Sequence, residues 1–143
     1  MKDALKQLYN KLILERQKDP AGFEKRENAQ FVLEAYNPVC GDQFKIYLDF
    51  EGEVISKASY HGYGCALSKA ASSLLVEGLA GKSVNECLEF IEFYYRSLER
   101  DHIEAPEIYK ALAVAKKFPG RKQCTILSWE AVSRFIKDKC SNA

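Results

Sequence analysis

The distribution of apolar residues predicts an α+β fold, a small antiparallel β-sheet packed against a layer of helices. Two observations carry that prediction. Phe44, Ile46, Leu48 and Phe50 alternate with Lys45, Tyr47, Asp49 and Glu51 up to a turn at Gly52, which is the period of a half-buried strand. Beyond Gly64 the spacing lengthens to that of helices and stays so to the end of the chain. A third observation bounds the architecture: 143 residues suffice for a packed core, and no repeat or linker divides them, so residues 1–143 are expected to form a single domain.

Each element has its own signals. Asp3 is positioned to cap a first helix whose Leu5, Leu8, Leu12 and Ile13 recur on one face, and Asp19-Pro20 should stop it. The polar segment 17–28, with Pro20 and Gly22, reads as a connecting loop. Phe31, Leu33 and Ala35 alternate with their neighbours in a short strand, and residues 54–60 return from Gly52 as the partner of the strong strand before it. Residues 66–79, rich in Ala, Leu and Ser, form a close-packed helix. Ser83 with Glu86 three residues later is a capping box, opening a helix whose stripe is Val84, Cys87, Leu88, Ile91, Tyr95 and Leu98. Pro106 begins another helix with Ile108, Leu112 and Ala115, ending by Pro119-Gly120. Trp129, Val132, Ile136 and Cys140 line one side of the last.

Composition narrows the function. With 21 basic and 20 acidic side chains the net charge is +1, and no basic cluster exceeds Lys116-Lys117 or Arg121-Lys122, so nucleic acid is not an expected partner. The first residues are polar and charged, unlike a secretory signal, and no stretch approaches the roughly 18 apolar residues of a membrane span. A cytoplasmic protein without membrane attachment is expected, and its five cysteines then read as thiols or ligands rather than disulfides. No Ser-His-Asp arrangement or nucleotide fingerprint is legible. Gly81-Lys82-Ser83 lacks the upstream glycines of a phosphate loop and reads as a turn feeding the capping box.

Four residues stand out as donors that folding could gather. Cys40 and Asp42 are two apart in a Pro38-to-Asp42 turn, Cys65 begins a helix, and Cys124 precedes the last one. Helix N-termini favour thiolate over thiol, and three thiolates with a carboxylate suit tetrahedral Zn2+. Against this, buried cysteines often serve as small apolar residues, and there is no C-x2-C pair. Cys87 and Cys140 fall on apolar helical faces and read as packing. Arg121 and Lys122 are candidates to offset charge around such a site, or solvated surface cations. His61 and Lys69 read as ordinary strand-end and helix-surface residues, and His102 as part of a polar turn.

The motifs Asn37-Pro38-Val39-Cys40-Gly41-Asp42, Gly62-Tyr63-Gly64-Cys65-Ala66-Leu67-Ser68-Lys69-Ala70-Ala71-Ser72-Ser73, Gly81-Lys82-Ser83 and Arg121-Lys122-Gln123-Cys124-Thr125-Ile126-Leu127-Ser128-Trp129 together resemble the U-type iron-sulfur cluster assembly proteins. This is the NifU N-terminal and IscU-like family, and the likeness, nearly as long as the chain, is nearest to its SufU branch. It implies a SufE/NifU-like α+β fold and a site made of Cys40, Asp42, Cys65 and Cys124. In IscU-type members that site resembles a scaffold for a [2Fe-2S] cluster, with a histidine before the last cysteine. Gln123 stands there in this chain, and the interval from Cys65 to Cys124 is long, as in the SufU branch.

The resemblance therefore implies a zinc-binding sulfur acceptor that works with a SufS-type cysteine desulfurase, a sulfurtransferase-like partner rather than a stand-alone enzyme. Cys40, in the glycine-flanked turn, is the expected persulfide acceptor, and Asp42 the weaker ligand. The alternatives are a scaffold that carries a transient iron-sulfur cluster to downstream acceptor proteins, and a zinc-stabilised interaction module without transfer chemistry.

Overall fold

The computed structural model describes residues 2–18, 20–39, 41–99, 104–117 and 120–141. Its elements run α1 (Lys2–Lys18), β1 (Phe31–Tyr36), β2 (Gln43–Glu51), β3 (Val54–Tyr63), α2 (Ala66–Leu79), α3 (Val84–Glu99), α4 (Glu107–Lys116) and α5 (Lys122–Ser141). The three strands pair antiparallel in the order β1-β2-β3, which is the expected α+β arrangement. Cys40, Asp19, His102 and Pro119 lie outside the described residues.

Phe44, Ile46 and Leu48 of β2 are buried on the inner face of the sheet, as their alternation predicts. β3 runs three residues past the expected end at residue 60, because Lys45, Phe44 and Gln43 go on pairing with His61, Gly62 and Tyr63. His61 and Gly62 break the apolar alternation, so only the ladder reveals that extension. Helices α2 and α5 cover the inner face; Phe135 of α5 packs its ring on Phe31 of β1 at 4.9 Å.

Local signals account for the helix ends. Ser83 and Glu86 exchange the two hydrogen bonds of the capping box, with Glu86 Oε1 accepting from the Ser83 N–H at 3.0 Å and Ser83 Oγ from the Glu86 N–H at 3.3 Å. Two stripes are rotated from expectation. In α1 Tyr9 and Ile13 face the core while Leu8 is 45% exposed; α1 also begins before Asp3, which lies inside it rather than capping it. In α3 Tyr94 is fully buried and Tyr95 only partly, because Tyr94 stacks flat on Trp129 at 3.6 Å between ring centroids.

Helices α2 and α5 are held in register by polar groups in their buried seam. Trp129 Nε1–H donates to the Ala71 carbonyl at 2.9 Å, and the hydroxyls of Ser72 and Ser128 pair at 2.6 Å. Buried polar groups matched in this way fix the register of two helices, since any slip leaves them unsatisfied. No described helix is long and apolar enough to cross a membrane.

Candidate metal centre

Three segments converge at one end of the sheet. Asp42 stands immediately before β2, Cys65 immediately before α2, and Cys124 in the first turn of α5. One carboxylate oxygen and two sulfurs from these residues lie within 4.8 Å of one another.

Asp42 is delivered by a tight reversal. Asn37 Oδ1 accepts from the Val39 N–H at 3.1 Å, the Gly41 N–H donates to the Asn37 carbonyl at 2.8 Å, and the Asn37 N–H donates to the Asp42 carbonyl at 2.9 Å. The turn passes through Gly41 at φ +79°, a conformation that side chains with a Cβ rarely adopt. Asp42 emerges only 3% exposed. Its Oδ1 accepts from the Cys65 backbone N–H at 3.1 Å, while Oδ2 is buried with no hydrogen-bond partner among the described residues. A carboxylate oxygen removed from water without a donor is costly, and a cation at that point would satisfy it.

Cys65 is the N-cap of α2. With φ −70° and ψ 166° it holds extended backbone, and its sulfur takes the place usually filled by a Ser or Asp oxygen, accepting from the Ser68 N–H at 3.4 Å. The helix N-terminus favours negative charge there. Gly64 has to be small: a Cβ on it would come within 2.6 Å of both the Phe44 ring and Ser68 Oγ.

Cys124 is buried, its sulfur 4.0 Å from the Gly120 carbonyl. The sequence places it before the last helix, but α5 starts at Lys122 and includes it. The separation of Cys124 from Cys65 is thus set by the Trp129–Ala71 and Ser72–Ser128 bonds one to two turns along the same helix pair.

The three residues open on a cleft of about 420 Å³, whose wall also contains Arg121 and is kept low by Gly41, Gly64 and Gly120. Arg121 and Lys122 part company: Lys122 lines a separate groove beside Glu99 and Lys116. Arg121 stands just before α5 and Lys122 is its first residue, and of the two only Arg121 lines the cleft. His61 stacks on the Phe23 ring at 4.6 Å, and Lys69 Nζ lies 4.4 Å from the same ring, so both are engaged away from the cleft.

Cys40 lies outside the described residues, between Val39 and Gly41, so the structure speaks to three of the four expected donors. Of the other cysteines, Cys87 is fully buried, and that burial pushes its thiol up to about 11. Cys140 is exposed beside Phe135 and Lys139, not packed as its helical position predicts; it falls in the last turn of α5, on the wall of an open groove. Ser68 is a site residue that the sequence alone does not flag; its only signal is its place three residues after a cysteine N-cap.

The donors present fit Zn2+. Two thiols and a carboxylate are among its usual ligands, a tetrahedral site with Zn–S near 2.3 Å sets sulfurs about 3.8 Å apart, and a fourth protein ligand would complete it. The orphaned Oδ2 is the observation that calls for a cation.

Residues 8–139 match the model of the NifU-like N terminal domain family. The chain is 28% identical over 133 residues to the zinc-dependent sulfurtransferase SufU of Bacillus subtilis, covering 90% of this chain and 89% of that protein. It is also 28% identical over 134 residues to the iron-sulfur cluster assembly scaffold protein IscU of Thermotoga maritima, covering 92% and 94%. The crystal structure of a putative iron-sulfur cluster assembly scaffold protein for the SUF system from Fervidobacterium islandicum superposes with a TM-score of 0.72 at 28% identity, covering 84% of this chain and 90% of that one.

Proposed function

This chain belongs to the NifU-like N-terminal domain family, and from that premise we propose that it serves iron-sulfur cluster assembly as a zinc-dependent sulfur acceptor. In this reading residues 1–143 act as one domain in the cytoplasm, and the sulfur comes from a SufS-type cysteine desulfurase. What carries the reading is the convergence of Asp42, Cys65 and Cys124 around a buried carboxylate oxygen with no hydrogen-bond partner among the described residues.

Cys40, Asp42, Cys65 and Cys124 are the ligands. Bound Zn2+ would keep the three thiols deprotonated and offset the negative charge they and Asp42 bring together. The acceptor thiolate attacks the outer sulfur of the partner's persulfide. One S–S bond forms on the acceptor as the partner's breaks, and the partner's inner sulfur leaves with the electron pair as a thiolate. No net oxidation occurs.

Cys40 is the acceptor. In support, its chain neighbours Val39, 94% exposed, and Gly41 are at the surface, whereas Asp42 and Cys124 are buried. Asp42, a harder donor than thiolate, is the weaker ligand. Arg121 on the cleft wall offsets part of the site's negative charge. The zinc-dependent sulfurtransferase among the relatives supports the choice of metal and reaction.

The scaffold protein among the relatives, equally identical, favours a second reading in which the same donors hold a [2Fe-2S] cluster. One experiment separates the two: mix the protein with a cysteine desulfurase and isotopically labelled cysteine, locate persulfide by mass spectrometry, and measure bound zinc. Labelled sulfur on Cys40 with zinc retained is the expected result. A reconstituted cluster handed intact to an apo-protein, with no labelled persulfide, overturns it.

A further inference from the structure

Ser68 is buried to 1% exposure, yet both hydrogen-bond partners of its hydroxyl among the described residues belong to Cys65. The hydroxyl donates to the Cys65 carbonyl at 3.1 Å and lies 3.5 Å from the Cys65 sulfur, while the Ser68 backbone N–H donates to that sulfur at 3.4 Å. Rotation about one torsion moves the hydroxyl proton from the carbonyl to the sulfur. A single residue thus presents two donors to Cys65 Sγ. The space for it exists because position 64 has no Cβ, which would otherwise meet Ser68 Oγ at 2.6 Å.

Donors on a thiolate have two effects. They orient the sulfur, here into the triangle with Asp42 and Cys124, and they draw electron density from it, which weakens its attack on an external sulfur. We propose that Ser68 is a positioning residue that holds Cys65 in the site as a retained ligand and so determines which cysteine receives the incoming sulfur. The inference rests on the reading of the site as a zinc-held sulfur acceptor. Without the Ser68 hydroxyl, Cys65 is less firmly held and more nucleophilic. It then competes for the same transfer: its thiolate takes the outer sulfur of the partner's persulfide, and the partner's inner sulfur departs as a thiolate.

The comparison is between Ser68→Ala and Ser97→Ala in the full chain. Ser97 of α3 is also buried, at 6%, but its hydroxyl donates to the Tyr94 carbonyl one turn back in its own helix rather than to a sulfur, and it lies off the cleft. Alanine is favoured in a helix, so both variants are expected to fold, and thermal melting checks this. Zinc loss to a chromophoric chelator is expected to be about tenfold faster or more in Ser68→Ala than in Ser97→Ala. After reaction with a cysteine desulfurase and cysteine, mass spectrometry is expected to find persulfide on Cys65 as well as Cys40 in Ser68→Ala, and on Cys40 alone in Ser97→Ala. Equal zinc loss in the two variants, or persulfide confined to Cys40 in Ser68→Ala, overturns the inference while leaving the sulfur-acceptor reading intact. A wild-type chain that holds no zinc, or takes up no sulfur, overturns that reading and the inference with it.

Discussion

The backbone N–H of Cys65 donates to Oδ1 of Asp42 across 3.1 Å, so the first donor of α2 and the carboxylate before β2 are locked together ahead of any metal. That bond leaves Oδ2 as the buried atom without a hydrogen-bond partner among the described residues. A site prepared in this way holds its ligands in place at a cost to the metal-free protein.

Asp42→Asn tests that cost. The amide keeps an oxygen for the Cys65 N–H but removes the buried charge and is a poor zinc ligand. Metal-free Asp42→Asn is therefore expected to melt at or above wild type, by an increment worth about 1 kcal/mol. The zinc-loaded variant should melt below loaded wild type and surrender zinc to a chelator at least about tenfold faster. Differential scanning calorimetry with and without zinc reads both signs. A metal-free variant clearly less stable than wild type would show that Oδ2 carries no such penalty.

Two glycines of the cleft separate sterics from backbone strain. At Gly64 an added Cβ meets the Phe44 ring and Ser68 Oγ at 2.6 Å, whereas at Gly41 it meets nothing within 4 Å among the described residues, but φ is +79°. Gly41→Ala should cost about 1–2 kcal/mol, the usual penalty of that conformation. Gly64→Ala should cost about 1–3 kcal/mol from overpacking and weaken zinc retention too, since Ser68 and Cys65 must shift. Urea melts paired with chelator competition measure the two. Zinc retention in Gly64→Ala equal to wild type would contradict the packing described around Gly64.

Cys87 gives a pH dependence with a definite sign. Burial raises its thiol to about 11 in the folded chain, against an ordinary value near 8.5 for a thiol in an unfolded one. Between those values the unfolded chain has lost the proton that the folded chain still holds, so stability present below about pH 8.5 falls as pH rises to 11. The full effect is on the order of 3 kcal/mol. Cys87→Ala, which costs some packing at every pH, should flatten this decline. Urea melts at pH 8 and pH 10 should show a smaller difference in the variant; an equal difference would assign the decline to other groups, such as the buried tyrosines.

Much of this architecture is legible in the chain, for identifiable reasons. The Phe44-to-Phe50 alternation and the Ser83–Glu86 box are local signals; the box forms as written, and Phe44, Ile46 and Leu48 are buried as the alternation predicts. Tyr47 on the other face is buried too, and the β2–β3 register shifts at Asp49 and Phe50, leaving Phe50 only partly buried. Other features depend on partners far away in sequence. Tyr94 rather than Tyr95 is fully buried because Trp129 offers it a flat face. Leu8 is exposed because α1 turns Tyr9 and Ile13 inward. Three of the four expected donors are marked by their placement at element ends, and the structure brings Asp42, Cys65 and Cys124 together. Ser68 stays hidden because its function depends on a sulfur serving as the helix cap, a role that cap preferences assign to oxygen.

Arg121 and Lys122 are chemically alike and adjacent, yet the start of α5 turns one toward the cleft and the other toward Glu99. Long-range charge is nearly equal for the two, so any difference between their variants reports local geometry. In the proposed site, three thiolates and Asp42 around Zn2+ would carry a formal excess of two negative charges, part of which a nearby guanidinium would offset. Arg121→Gln is expected to speed zinc loss by about tenfold, and Lys122→Gln by less than about twofold. The Arg121 effect should shrink in high salt, which screens the charge left uncompensated in the variant. Stopped-flow chelator competition at two ionic strengths gives all four values. Matching rates for the two variants would place Arg121 with Lys122 among the solvated surface charges.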